Sequence, residues 1–205
     1  MRFSTDVYLI TGFLGSGKTT FLNRVIDRFP RDRIMVILVN EFGEIGVDGA
    51  MVAGEEFDTI EISKGSIFCA CVKTDFIKAL CELHQKTKPD VLIIESTGVA
   101  NPADIKKDLK LPIFNSRFRF AEQFCLLDAA HFLDASKVYA SLDKQIESST
   151  VFIINKTDLA NTATVAKIKS AVEQFHPSPV FIETRYADID VEKYFGLSPM
   201  TMKLE

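Results

Sequence analysis

The sequence predicts an α/β protein: a P-loop-type, doubly wound, mostly parallel sheet with helices on both faces. Two observations carry the sheet and its winding. Short apolar runs rich in β-branched residues alternate with stretches of helical period, and polar, glycine-bearing segments follow those runs repeatedly. Runs that stay apolar without alternation are strands buried on both faces, as in parallel sheets covered by helices. Regular alternation of strands and helices then gives the doubly wound arrangement.

In chain order, the first strand is predicted over 7–10 (Val-Tyr-Leu-Ile) and the first helix over 18–29, where Pro30 ends it. Residues 34–39 (Ile-Met-Val-Ile-Leu-Val) form the second strand. A helix over 75–86 stops before Pro89, and 91–94 (Val-Leu-Ile-Ile) is the third strand. A helix over 102–109 leads to strands over 124–127 and 151–154. A helix over 163–176, ahead of Pro177, and a strand over 180–182 complete the pattern. No internal repeat, low-complexity tract or linker interrupts it, so 1–205 reads as one domain.

Composition narrows the classes. A chain of 205 residues buries roughly 70% of its unfolded surface. Apolar residues make up 47% and charged residues 25%, which excludes a disordered, collagen-like or disulfide-stapled chain. The net charge of −4 provides no whole-chain basic footprint for nucleic acid or an anionic membrane. No apolar run approaches the ~20 residues that span a bilayer. The N-terminus carries Asp6 where a signal peptide has its basic segment, so the expected setting is the cytoplasm. Thiols stay reduced there, and the four cysteines (Cys69, Cys71, Cys81, Cys125) are expected to be free or metal-bound.

In a wound parallel sheet ligands bind beyond the carboxyl ends of the strands. Five polar segments fall there: 11–20, 40–49, 95–101, Asp128 and 155–158. The first contains Gly-Phe-Leu-Gly-Ser-Gly-Lys-Thr over 12–19, a GxxxxGK[ST] match directly after a strand and opening a helix. Gly12, Gly15 and Gly17 let the backbone wrap a phosphate closely, with N–H groups and the helix N-terminus facing the anion. Lys18 is placed to reach the β- and γ-phosphates and the Thr19 hydroxyl to ligate Mg²⁺. Ser16 and Thr20 complete the candidate cradle.

At another strand end stands Asn155-Lys156-Thr157-Asp158. The Asp158 carboxylate can accept from both the ring N–H and the exocyclic amino group of guanine, a donor pair that adenine lacks. Asn155 would brace the loop and the stem of Lys156 would lie across the base. Thr184, in Glu183-Thr184-Arg185 after the last strand, belongs to a second candidate base-contacting loop.

Three further segments carry a family resemblance: Asn-Glu-Phe-Gly-Glu-Ile-Gly-Val-Asp over 40–48, Glu-Ser-Thr-Gly-Val-Ala-Asn-Pro over 95–102, and the cysteine-bearing loop after Lys64-Gly65. Together, in this order and over nearly the whole chain, they resemble the CobW-like metal-chaperone GTPases, relatives of the nickel-insertion GTPases UreG and HypB. The resemblance implies GTP and Mg²⁺ as ligands, a transition metal that is often zinc, and hydrolysis coupled to metal or cofactor delivery to a client protein. It makes 40–48 the switch joining phosphate loop and metal site, with Glu41 and Glu44 as candidate metal ligands. It makes 95–98 the second switch, where Glu95 acts through Mg²⁺ or orients the attacking water and Gly98 offers its N–H to the γ-phosphate.

The cysteine loop departs from the family pattern Gly-Cys-x-Cys-Cys. Ser66 and Phe68 stand at the first two cysteine positions, Cys69 fits the third and Cys71 is additional. In an extended loop Cys69 and Cys71 point the same way, and two thiolates suit Zn²⁺, Co²⁺, Ni²⁺ or Cu⁺ better than Mg²⁺. Two ligands do not complete a four-coordinate zinc site. Either Glu44, Glu41 and His131 add to them, or a nucleotide-linked two-fold dimer brings two such pairs together. Family members usually carry a second, C-terminal domain, which is not expected here. Cys81 and Cys125 read as core residues, His84 and His176 as solvated or structural, and the Lys106–Lys110 run as a solvated helix face.

The expected activity is GTP hydrolysis, slow because the sequence identifies no arginine finger. The expected partner is a client metalloprotein or cofactor-dependent enzyme, with no nucleic acid or membrane. The alternative is a GTP-dependent switch for partner docking without metal transfer. An ATP-using enzyme on the same scaffold is disfavoured by the tetrapeptide ending at Asp158.

Overall fold

Alternate residues of the central strands enter opposite cores. The computed structural model describes residues 4–40, 59–61, 70–96, 102–114, 117–139 and 141–196. Its strands are β1 (Thr5–Gly12), β2 (Met35–Asn40), β3 (Thr59–Glu61), β4 (Val91–Ser96), β5 (Phe118–Asp128), β6 (Val151–Asn155) and β7 (Val180–Glu183). They form one sheet in the order β3-β2-β4-β1-β5-β6-β7, and every described pairing is parallel. From β1 the chain winds to one side through β2, β3 and β4, then crosses over and winds to the other through β5, β6 and β7. The winding therefore reverses beside the carboxyl end of β1, the place where such sheets open a ligand crevice.

The helices are α1 (Lys18–Arg28), α2 (Ala70–Glu82), α3 (Pro102–Leu109), α4 (Phe132–Val138), α5 (Ser141–Ser148), α6 (Thr162–Glu173) and α7 (Val191–Tyr194). Tyr8 and Ile10 of β1 pack with Phe21 and Val25 of α1 on one face, joined by Phe124 and Phe195. Val7 and Leu9, one residue out of phase, pack with Phe76 and Leu80 of α2 and Ile105 of α3 on the other. A third cluster sets Leu127 and Ile154 against α4, α5 and α6 through Phe132, Ile146 and Ile168. This two-sided burial is the physical source of the unbroken apolar runs, since both phases of the strand need apolar side chains.

The expected fold class is the observed one, with differences at element ends. Residues 124–127 are only the buried end of β5, whose first half carries Arg119, Glu122 and Gln123 and lacks the apolar signature. The helix expected over 75–86 starts at Ala70 and its last turn widens into a π-helical turn, Leu83–Thr87, closed by Lys88 at φ 48°. Cys71 therefore has helical rather than extended backbone. Short β3, α4 and α7 lie outside the predicted elements, too brief for a periodic signal, as does the eight-residue α5. Asn161 caps α6 by accepting from the Thr164 N–H at 2.8 Å, which starts that helix at Thr162.

Lys106 corrects the expectation of a wholly solvated helix face. Its ammonium donates to the Ser148 carbonyl at 2.5 Å and lies 4.5 Å from the centre of the Phe120 ring, while Lys107 and Lys110 are exposed. Burial depresses the Lys106 pKa. Cys125 is fully buried, and burial pushes its thiol up to about 11, in keeping with a core residue. Among the described residues no helix is long and apolar enough to cross a membrane.

Candidate functional site

The loop between β1 and α1 is shaped by three glycines in left-handed conformations. Gly12 has φ 136°, and a Cβ there would stand 2.5 Å from the Leu126 carbonyl of β5. Gly17 has φ 103°, and a Cβ there would collide with Nδ2 of Asn155. Gly15, at φ 77°, needs glycine for its backbone alone. Lys18 is buried, and its ammonium donates to the Gly12 carbonyl at 3.1 Å and the Phe13 carbonyl at 3.3 Å, spanning the loop. Thr19 and Thr20 are exposed on the first turn of α1. Ser16 donates its N–H to the Phe13 carbonyl at 3.1 Å. Its hydroxyl is buried with no hydrogen-bond partner among the described residues.

Asn155, at the end of β6, is 2% exposed and ties two loops together. Its Nδ2 donates to the Ser16 carbonyl at 3.0 Å, and its Oδ1 accepts from the Ala187 N–H at 2.9 Å. The loop after β7 is further fixed through Thr184. The Thr184 carbonyl accepts from both the N–H and hydroxyl of Thr157, at 3.2 Å and 3.1 Å. The Thr184 hydroxyl donates to the Asp188 carbonyl at 2.7 Å. Asp158 is exposed in the short 3₁₀ turn Thr157–Leu159 that follows Lys156. The structure thus joins Ser16 through Asn155, and Thr157 through Thr184, to the loop after β7 at the carboxyl edge, with Gly17 packed against Asn155.

Lys156, just past the end of β6, donates from Nζ to Oδ2 of Asp128, the last residue of β5 and the partner of Asn155 across the sheet. Burial pushes the Asp128 carboxyl up. Hydrogen bonds from Lys156, the Ala130 N–H and His131 outweigh it and hold the group below the ordinary carboxylate value. His131 stands with Nδ1 3.2 Å from the same carboxylate. A cavity of about 380 Å³ opens beside the loop, lined by Phe13, Leu14, Phe132 and Leu142 together with Asp128 and Lys156.

Glu95 is half-buried on β4, in register with Ile10 of β1 and Val39 of β2, so it sits one strand away from the loop. Glu41, Glu44, Cys69 and Gly98 lie outside the described residues, and of Cys71 only the backbone is described. Among the described residues no group of three or more His, Cys, Asp and Glu side chains is placed to hold a metal ion. Two contributors were not assigned a role from the sequence. Buried Gln145 of α5 accepts the Gly12 N–H at 3.1 Å, and nothing local marks it out from other helical glutamines. Asp128 was visible as a polar strand end, but its partner Lys156 is set by strand order.

A wound parallel sheet whose central strand feeds a glycine-shaped loop into a helix defines a P-loop nucleotide-binding domain. The chain belongs to the CobW/HypB/UreG family: the model of that family's nucleotide-binding domain matches residues 6–183. It is 29% identical to the zinc chaperone CobW of Sinorhizobium, over 92% of this chain and 61% of that protein. It is 34% identical to the zinc chaperone YeiR of Escherichia coli, over 75% of this chain and 47% of that one. The chain thus spans about half to three-fifths of the length of these relatives. In fold it resembles the Zn(II)-bound YjiA GTPase of E. coli (TM-score 0.69, 23% identity, 94% of this chain and 61% of that chain). It also resembles HypB from Helicobacter pylori in complex with nickel (TM-score 0.56, 18% identity, 94% and 84%).

Proposed function

We propose that this chain binds and slowly hydrolyses GTP with Mg²⁺, and that hydrolysis drives handover of a soft transition metal, zinc first, to a client protein in the cytoplasm. The metal is cargo. The observation that carries the nucleotide reading is the two-sided bond of Asn155, which joins the phosphate loop at Ser16 to the loop after β7 at Ala187. A site that reads a base and grips phosphates needs those two loops in fixed register.

The residues present fit a nucleoside triphosphate. Gly12 and Gly17 occupy places where a Cβ would strike backbone or Asn155, and the loop opens onto the N-terminus of the eleven-residue α1. Gly12, Gly15, Ser16, Gly17 and Thr20 form the cradle, and Lys18 moves its ammonium from loop carbonyls to the β- and γ-phosphates. Bound Mg²⁺ would neutralise charge developing on the phosphate oxygens, with Thr19 as its ligand and Glu95 acting through it or orienting the attacking water. Gly98 would donate its N–H to the γ-phosphate. Lys156, Asp158 and Thr184 hold guanine, on loops that Asn155 braces. Support for zinc comes from the names of the relatives, and Glu41, Glu44, Cys69 and Cys71 are the proposed cargo ligands. A nucleotide-dependent dimer would supply two sets of them.

Ser66 and Phe68, standing where the family has cysteines, favour a second reading: a GTP-dependent docking switch that carries no metal. Metal counting and light scattering with a non-hydrolysable GTP analogue distinguish the two. About one soft metal per two chains, lost in Cys69→Ser/Cys71→Ser, supports handover; a metal-free protein leaves the switch. Lys18→Ala is expected to lose most GTP binding and turnover, and parental activity in that variant would overturn the site assignment.

A further inference from the structure

The loop after β7 has an anchor besides Asn155. Tyr186 and Ala187 hold two consecutive left-handed backbones, φ 54° and 53°, without a glycine. Such conformations persist only where the surroundings over-determine them. On one side stands Asn155, bonded to the Ala187 N–H. On the other stands Arg24, in the second turn of α1. Its Nε donates to the Tyr186 carbonyl at 2.6 Å and its NH1 to Asp188 Oδ1 at 3.1 Å, so one guanidinium spans the turn. Arg28, one helical turn on, adds NH2 to the same carboxylate at 2.8 Å and NH1 to the Ile189 carbonyl at 2.7 Å. A planar fork with donors in fixed directions suits this double contact; a lysine ammonium does not reproduce it.

Resting on the guanine reading above, we propose that Arg24 is a positioning residue for base selection. It ties the loop bearing Thr184 to the helix that begins at the phosphate loop. Since α1 carries both Lys18 and Arg24, the phosphate grip and the base loop move as one body. Loss of Arg24 releases the Tyr186 carbonyl, beside the left-handed pair, while Arg28 still holds Asp188 and Ile189 and the phosphate cradle stays braced by Gln145 and Asn155.

The test measures dissociation constants of the parent, Arg24→Ala and Arg24→Lys for GTP, ATP and inorganic tripolyphosphate. Arg24→Ala is expected to bind GTP about tenfold more weakly, with ATP and tripolyphosphate within about twofold of the parent, so that GTP preference falls about tenfold. Arg24→Lys keeps stem and charge, guards against a variant that fails to fold, and is expected to recover only part of the preference. Unchanged preference in a folded Arg24→Ala or Arg24→Lys overturns the proposal, and so does an equal loss for all three ligands, which marks a general structural role. A parent that binds ATP as tightly as GTP overturns the guanine reading and this inference with it. A selective parent with equally selective variants overturns this inference alone.

Discussion

The ammonium of Lys156 lies 2.7 Å from Oδ2 of Asp128, bridging the ends of β6 and β5, while the Lys156 backbone sits at φ 60°. A left-handed lysine costs roughly 1–2 kcal/mol. A charge-assisted hydrogen bond on a carboxylate that is only 10% exposed contributes a comparable amount, about 1.5–3 kcal/mol. The pair therefore fixes the direction of the lysine stem at the carboxyl edge.

Asp128→Ala is expected to leave a folded protein that binds GTP about tenfold more weakly, because Lys156 loses its anchor. Titration calorimetry checks this. Parental affinity would show that Lys156 is placed by its backbone alone.

The same carboxyl sets an acid dependence. Its folded pKa lies below the ordinary 3.8, so its contribution is fully present above that value and is lost as pH falls through the lower folded pKa. Melting temperature measured between pH 6 and pH 3 should fall less steeply at its acid end in Asp128→Asn than in the parent. Superimposable acid limbs would remove Asp128 from the account.

Gly17→Ala is expected to be harmful twice over. The backbone at φ 103° strains any other residue by about 1–3 kcal/mol, and the new methyl meets the Asn155 amide that holds Ser16. Expected are a melting temperature lower by about 5 °C and a loss of more than tenfold in GTP affinity. Calorimetry reads both, and a variant with parental values would refute the tight approach of Asn155.

Asp158→Asn replaces an acceptor-only group with one donor and one acceptor. Mispairing against guanine costs about 1–3 kcal/mol, a loss of roughly ten- to a hundredfold in affinity. Xanthosine triphosphate, with a carbonyl at the corresponding position, should be bound better by the variant than by the parent. Competition between the two nucleotides decides it.

Much of this was legible in the residues themselves. The six long strands and four of the helices follow from apolar runs, helical period and proline stops. The phosphate loop follows from glycine spacing, because a left-handed turn at Gly12 and Gly17 is a local demand of the backbone. Where the signal was short, as in the three residues of β3 or the seven of α4, periodicity had nothing to act on. The helical backbone of Cys71 was missed for a related reason, since a Cys-x-Cys pair reads as extended only if its segment is a loop.

What the sequence by itself determined is the winding of the sheet, the loop at the end of β1 and the residue types gathered at the carboxyl edge, all encoded in local burial and backbone preference. Only the tertiary structure decided which of those residues meet. Asn155 reaches Ser16, Gln145 reaches Gly12, Lys156 reaches Asp128 and Arg24 reaches Tyr186 because β1, β5, β6 and β7 lie side by side with α1 and α5 packed close by. The physical reason is range. Apolar pattern and glycine spacing report each segment's own surroundings, whereas a hydrogen bond between distant segments exists only once strand order and register have placed donor against acceptor.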